Sequence, residues 1–496
     1  MSEPIQRSTV RRFAHGTAWS LGGNVVLRAC NVFTAIVIAR ALGKEEFGAF
    51  GIFQSTVGLL QVFVSYGMGL TATKFIAEHR TSEPARAGHV LAISRFCAAV
   101  LSIIVGLATY LLAGFIGSGL LGHAELKSLL QIGSIALAFG AYNGAQLGAL
   151  TGLERFSAVA RINAISGLAF LGLTIVGAKL WGVWGAVAGN SASSCLACLV
   201  TVPVLRREIR TSRIPVSLEG PAENWRELYR FSLPAMIASS LASPVTWICA
   251  AMLLRVGGGF GEVAIINAAN QWRNLLLFLP AVMTQVSLPL LASSRISMNQ
   301  EPRSGFVRTL LLTQAATDII AMALGSALML AATVALSVYG KTFSSGAPVL
   351  IIIVLASLYQ CFVSSVQPAL EATGRMWLGA RLNIVWAAAN LAFCALTVSR
   401  LGAMGVALAN AISYLILSLC SIDALKNTTP PGFRTNVLVN GACATTLAVV
   451  CLFLHGTLRL CVAIPLAVSN ILLVLWRNSA RFDSGMAWLK RALAAS

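Results

Sequence analysis

Two arginines stand where the sequence around them is apolar. Arg28 lies in the middle of SLGGNVVLRACNVFTAIVIARALG (20–43), and Arg273 lies in INAANQWRNLL (266–276). A guanidinium is always charged, and its planar fork matches two phosphate oxygens at once. In mid-bilayer it costs at least roughly 2.5–3.5 kcal/mol, so it is kept mainly where it meets water, a counter-charge or a substrate. At 100° per residue each arginine falls on a polar stripe. Ser20, Asn24, Arg28 and Asn31 share one face, and Asn267, Asn270, Gln271, Arg273 and Asn274 share another. Two further stripes carry no charge at their centre: Gln54, Gly58, Gln61 and Ser65, then Gln360, Ser364 and Gln367 ending on Glu371. Amides and hydroxyls of this kind either bind a hydroxyl-rich ligand or join helices by hydrogen bonds worth about 0.6–2 kcal/mol each. Asp318, beside Thr313, Gln314 and Thr317, is the one carboxylate in mid-run. It is a candidate for proton or sodium coupling, or for a salt bridge to an arginine. One carboxylate cannot cancel two guanidiniums, so the interior is expected to be wet, positive and suited to an anion.

Other residue patterns exclude chemistry. No Ser/His/Asp set and no His-Glu-x-x-His occurs, and the five histidines are scattered. GGGFG (257–261) is a short connection rather than a strand-to-helix phosphate loop. Cys195 and Cys198 form a Cys-x-x-Cys inside an apolar run with no histidine or acid nearby, which reads as structural. No metal site, no cofactor and no enzyme activity is expected. Arg155, Arg161, Arg375 and Arg381 lie at cytoplasmic ends of apolar runs. They serve either as topology signals that touch lipid head groups or as a first capture point for a phosphorylated head group. Trp181, Trp184 and Trp377 are expected to anchor at the membrane interface.

The elements that must hold these groups are membrane helices. The 496 residues are 57% hydrophobic and only 11% charged, and apolar runs of about 20 residues recur throughout. Spans are expected near 17–41, 48–73, 88–116, 127–150, 156–178, 181–205, 231–255, 261–291, 306–338, 346–370, 378–399, 403–425, 436–456 and 459–476. The fold class is therefore all-α and polytopic, with about 14 transmembrane helices. The net charge of +19 would suggest nucleic acid in a soluble protein; here it follows the positive-inside rule, and no nucleic acid is expected. Of the 36 Lys and Arg, 26 fall on the cytoplasmic side when both termini are inside, eight on the other, and Arg28 and Arg273 in mid-span. The first run is too long for a signal-peptide core and is read as a retained helix. NTT (427–429) matches a glycosylation sequon on the cytoplasmic side and is disregarded.

The chain also repeats itself. A shift of 220 positions aligns Arg155 with Arg375, Arg161 with Arg381, Asn163 with Asn383, Gly182 with Gly402, Gly185 with Gly405, Asn190 with Asn410 and Ser193 with Ser413. A second echo links FGAFGIF (47–53) to FGEVAII (260–266). The expected organisation is an N-terminal lobe of six spans (1–207), a cytoplasmic linker (208–230) and a C-terminal lobe of six spans (231–428). Spans 13 and 14 and a cytoplasmic tail follow (429–496). Two pseudo-symmetric bundles of equal orientation suit a transporter that works by alternating access.

ARALGKEEFGAFGIFQ (39–54), GMGLTATKFIAEHR (67–80) and GALTGLERF (148–156) resemble the polysaccharide-transporter flippases. These belong to the multidrug/oligosaccharidyl-lipid/polysaccharide exporter superfamily. The resemblance implies a multi-pass protein of the inner membrane that carries an undecaprenyl-pyrophosphate oligosaccharide, of O-antigen, capsule or exopolysaccharide, from the cytoplasmic to the periplasmic leaflet. It implies cavity arginines on the first and eighth helices, which Arg28 and Arg273 match by helix and depth. It also implies a lipid-tail groove at the last two helices, and a glycan polymerase is a candidate partner. The rival reading is a cation-coupled drug antiporter of the same superfamily, which predicts twelve spans and acidic cavity residues. A membrane enzyme would need larger outward loops than this chain has.

Overall fold

A computed structural model describes residues 3–80, 82–218, 241–256, 258–283, 302–372, 375–424, 431–454 and 456–494. Residues 219–230 of the predicted linker, 231–240 and 284–291 of the seventh and eighth predicted spans, and NTT (427–429) lie outside the described residues. Among the described residues the regular structure is helical and no strand occurs. Nine of those helices are long and apolar enough to cross a membrane. Large apolar side chains stand exposed along them, among them Leu111, Leu199, Leu396 and Trp476, as oil-facing surfaces require. Many hydroxyls inside the helices are satisfied by the preceding turn, as where Thr34 donates to the carbonyl of Cys30 at 2.7 Å and Thr109 to that of Val105 at 2.7 Å. The chain is a polytopic all-α membrane protein.

It packs as two compact units, one of Met1–Arg255 with Gly259–Ala264, the other of Val256–Gly258 with Ile265–Ser496. The first holds α1 (Glu3–His79), α2 (Pro84–Gly114) with a π-turn at Phe115–Leu120, α3 (Leu126–Gly152), α4 (Phe156–Thr211) and α5 (Ala242–Val256). Two of these helices are each two legs. Gly43 (φ 80°, ψ −178°) divides α1 between the first and second predicted spans. Trp181 and Gly182 divide α4 between the fifth and sixth. The second leg of α4 restarts at Val183, whose N–H donates to Glu46 Oε2 at 3.1 Å, an acid at the positive end of a helix dipole. One end of the unit is closed by apolar packing of Ile76, Leu91, Leu150, Ile162, Leu205 and Ile214. Trp247 ties α5 to α1 by donating to Thr56 Oγ1 at 2.9 Å.

The second unit continues α6 (Phe260–Leu276), whose residues to Ala264 pack with the first. It adds α7 (Pro302–Leu330), α8 (Ala332–Ser337), a 3₁₀ turn (Lys341–Gly346), α9 (Ala347–Phe362), α10 (Val366–Ala372), α11 (Met376–Leu401), α12 (Ala403–Ala424), α13 (Pro431–Phe453) and α14 (Gly456–Ala494). The stretch Lys341–Leu370, which contains α9, is the centre of this unit. Its most apolar window is 83% buried, against 22% for Gly456–Ser479. A helix that is apolar all round belongs in a core, and α9 supplies one.

The sequence repeat has a backbone counterpart in each unit. Arg155 (φ −86°, ψ 52°) and Arg375 (φ −93°, ψ 41°) precede α4 and α11 in the same conformation. Gly182 (φ 59°, ψ −142°) and Gly402 (φ 54°, ψ −131°) then break the helix 27 residues later in both. Such a φ strains any residue with a Cβ, so glycine is needed at both. The following leg comes close to the preceding one: a Cβ on Gly185 would strike the carbonyl of Gly177, and one on Gly405 that of Thr397.

Candidate functional site

Arg273 occupies the last turn of α6, and the carbonyl of Arg273 accepts the N–H of Leu277 at 2.9 Å as the chain runs on. Its Nη2 donates to Gln360 Oε1 at 2.8 Å and to the Tyr414 hydroxyl at 3.1 Å. The guanidinium carbon lies 5.7 Å from the centre of the Tyr414 ring, within cation–π range. That ring is steadied by Trp386, 5.4 Å away between centres. Nε of Arg273 is buried without a hydrogen-bond partner. Among the described residues no carboxylate pairs with this guanidinium; its partners are an amide, a phenol and a π-face. Three helices, α6, α9 and α12, thus orient a cation without neutralising it. Asn270, one turn earlier, is partly buried, whereas Asn274 and Gln367 are exposed. Gln367 lies with its amide over Gly379 of α11. Arg273 and Gln360, from two of the polar stripes, are in contact, and Tyr414 is a partner that the stripes did not disclose.

Behind Gln360 the chain of α9 breaks at Val363, Ser364 and Ser365 before α10 begins. Gln314 of α7 fills that break. Its Nε2 donates to the carbonyl of Cys361 at 3.0 Å, and its Oε1 accepts the N–H of Ser365 at 3.1 Å. The same Nε2 donates to Asp318 Oδ1 at 2.5 Å, and Asp318 Oδ2 accepts Asn440 Nδ2 of α13 at 3.0 Å. Asp318 is 1% exposed, so both oxygens are engaged inside protein. One hydrogen-bonded series therefore runs from α13 through Asp318 and Gln314 to the end of α9, which carries Gln360. A fully satisfied buried network of this kind fixes geometry. Asn440 was not singled out from sequence; an asparagine in an apolar span was the available signal.

In the first unit Asn24, Arg28 and Asn31 are partly buried on successive turns of α1, and Asn163 Nδ2 reaches Asn24 Oδ1 at 3.5 Å. Gln54 and Gln61 are partly buried on the second leg of α1. The Gln61 amide rests against Gly140 of α3, where a Cβ would collide with it. Here the amides of neighbouring helices are drawn toward one another, and the polar stripe joins helices in part. The side chains of Ser20, Ser65 and Glu371 lie outside the described residues.

Arg155, Arg161, Arg375 and Arg381 differ in their engagements. Arg155 is committed: its Nε lies 2.9 Å from Glu208 Oε2, at the far end of the folded-back α4. Arg161 donates from Nε to the carbonyl of Ser157 at 3.2 Å, within its own helix. Arg375 and Arg381 are exposed. Among the described residues no group of three or more His, Cys, Asp or Glu side chains is arranged to hold a metal ion.

Comparison with known proteins adds the ancestry. The family described as polysaccharide biosynthesis protein matches residues 13–295. The EPS I polysaccharide export inner membrane protein EpsE of Ralstonia nicotianae is 25% identical over 440 residues, covering 85% of this chain and 95% of EpsE. Among solved structures, the lipid II flippase MurJ in an inward closed conformation matches with a TM-score of 0.70 at 16% identity, over 94% of this chain and 98% of MurJ. An inward-facing multidrug resistance transporter of the MATE family matches with a TM-score of 0.66 at 18% identity, over 82% of this chain and 96% of that one. These two likenesses concern the fold alone.

Proposed function

Because the chain belongs to the polysaccharide biosynthesis protein family, we propose that it is a flippase for a lipid-linked glycan. Its substrate is an undecaprenyl-pyrophosphate oligosaccharide repeat unit, carried by alternating access from the cytoplasmic to the periplasmic leaflet of the inner membrane. The observation that carries this reading is Arg273, whose guanidinium is held by Gln360 and Tyr414 with no carboxylate pair among the described residues. An uncompensated cation in a membrane helix is tolerated where an anion comes to it, and a pyrophosphate offers the oxygens a guanidinium fork fits. A drug antiporter for organic cations would call for the opposite charge.

In the mechanism each unit contributes one phosphate-binding guanidinium, Arg28 from the first and Arg273 from the second. The amides Asn24, Asn31, Gln54, Gln61, Asn270, Asn274, Gln360 and Gln367 supply hydrogen bonds to sugar hydroxyls as they become free. The prenyl chain stays in lipid. Arg161, Arg375 and Arg381 meet the phosphorylated head at the cytoplasmic surface, and Arg155 does so only by leaving Glu208. Asp318 is the site of proton coupling: protonation would turn one acceptor oxygen into a donor facing an amide N–H, and so loosen the hold on Gln314 or Asn440. The functional halves are the duplicated spans of 1–207 and 231–428, with 208–230 as linker and 429–496 as an appendage, and both termini are cytoplasmic. A glycan polymerase receives the product.

The test is export of the glycan in cells that carry Arg28→Ala and Arg273→Ala together. Surface glycan should fall to the level of a deletion strain while the protein stays at its normal level in the membrane. A lipid-linked repeat unit should accumulate on the cytoplasmic leaflet. Normal export by the double variant removes both arginines from the mechanism.

A further inference from the structure

The first unit carries a second cationic site that the export reading does not use. A cavity of about 680 Å³, in the size range of ligand pockets, opens beside α2, α3 and the extended segment that follows α4. Arg95 lines it from α2, eleven residues past Pro84, which is about 16 Å along the helix axis. Its Nε is buried without a hydrogen-bond partner, and among the described residues the guanidinium has no ion pair. Tyr142 of α3 lines the same cavity, and its hydroxyl makes no hydrogen bond among the described residues. Phe96, Val216 and Leu218 form apolar walls that are about half exposed, at 52%, 45% and 54%.

The segment 214–218 is built onto α2 rather than draped over it. Ile214 is packed in the apolar core of the unit. The Pro215 carbonyl lies so close to Gly88 that a Cβ there would overlap it, and His89 Nδ1 is 3.1 Å from the carbonyl of Ser217. This strap presents Val216 and Leu218 next to an unneutralised guanidinium and a phenol. Two unused donors against an apolar rim are the recognition elements of an amphiphile with a phosphate head.

We propose that Arg95 and Tyr142 bind the phosphate of an anionic lipid, whose chains lie along Phe96, Val216 and Leu218. A charge-assisted pair of this kind contributes a tenfold or larger change in retention. The site is independent of Arg28 and Arg273, so the test reads lipid retention and not export.

The full chain, purified in detergent, is titrated with phosphatidylglycerol, with phosphatidylcholine of the same chains, with farnesyl pyrophosphate and with inorganic phosphate, and bound species are counted by native mass spectrometry. Arg95→Gln should lower retention of phosphatidylglycerol about tenfold and leave phosphatidylcholine unchanged. Tyr142→Phe should produce a smaller loss, and Arg95→Lys should restore part of it. Loss of farnesyl pyrophosphate in place of phosphatidylglycerol would also support the site, assigning it to prenyl rather than glycerol lipids. Displacement of the lipid by millimolar inorganic phosphate would overturn the lipid assignment. Unchanged retention of all four probes in monodisperse Arg95→Gln protein would overturn the site.

Discussion

Arg273 shows how a membrane protein keeps a cation usable. A carboxylate partner would hold the guanidinium and cancel its field. Gln360, Tyr414 and a ring face hold it and leave the field in place. The carboxylate nearest in the network, Asp318, is instead spent on the amides of Gln314 and Asn440. That arrangement makes a specific prediction. Asp318→Asn keeps an acceptor for Gln314, and Asn440 can turn its amide to meet the new donor, so the cost is the loss of charge assistance, about 1 kcal/mol. Asp318→Leu leaves an amide N–H buried and unmet, for about 1–3 kcal/mol. Thermal unfolding in detergent should rank the three proteins in that order. If Asp318 is the coupling group, Asp318→Asn should also reach the membrane at normal level yet export at a rate indifferent to an imposed pH gradient. A gradient response equal to the parent protein would confine Asp318 to its anchoring job. Arg28, Arg273 and Gln360 stand out in the sequence because charge and amide are rare in apolar runs. Tyr414 and Asn440 were not, since a tyrosine or a single asparagine in such a run is ordinary until its neighbours are known.

Helix breaks are where this sequence speaks most plainly about structure. The span boundaries expected at 41–48 and 178–181 coincide with Gly43 and with Trp181–Gly182, although the helices run on to either side. The repeat predicted that what happens at Gly182 happens again at Gly402, and the two backbones agree within 11° in ψ and 5° in φ. Packing of distant helices was less legible, because apolar runs in a membrane protein do not alternate and so do not say which face meets which neighbour. The extended strap at 214–218 was hidden for a different reason: it lies inside a basic, polar stretch that reads as a linker. Gly402→Ala should therefore be costly for two reasons that add: a positive φ on a residue with a Cβ, and loss of the tight approach that seats Gly405 against Thr397. We expect a cost of roughly 1–3 kcal/mol, read as a lowered unfolding midpoint. An exposed control in the same leg, Leu401→Ala, removes a side chain that is 47% exposed and should change the midpoint little. Equal midpoints for Gly402→Ala and the parent would mean that the break can be re-made elsewhere.

Charge also acts at the level of the entire carrier. The chain has a net charge of +19, yet its described helices bring only one buried carboxylate, Asp318, against Arg28 and Arg273 in mid-run. An empty carrier whose interior is net positive moves positive charge when it resets, whereas a carrier loaded with a pyrophosphate moves little. An interior-negative potential then favours the reset, by about 2.3 kcal/mol per charge per 100 mV for a full crossing of the field. The forward, loaded step should be nearly indifferent to voltage. Export should therefore depend on membrane potential under conditions where resetting limits turnover, and not in a single turnover. Proteoliposomes loaded with a lipid-linked oligosaccharide allow both measurements, with a potassium gradient and valinomycin setting the potential. Raising the interior-negative potential should speed multiple turnovers several-fold and leave the first turnover unchanged. Arg273→Gln should lower the voltage dependence of the reset, since it removes one positive charge from the moving interior. A first turnover that is as voltage-sensitive as the steady state would mean that the loaded carrier is not neutral, and the pairing of guanidinium with pyrophosphate would fail with it.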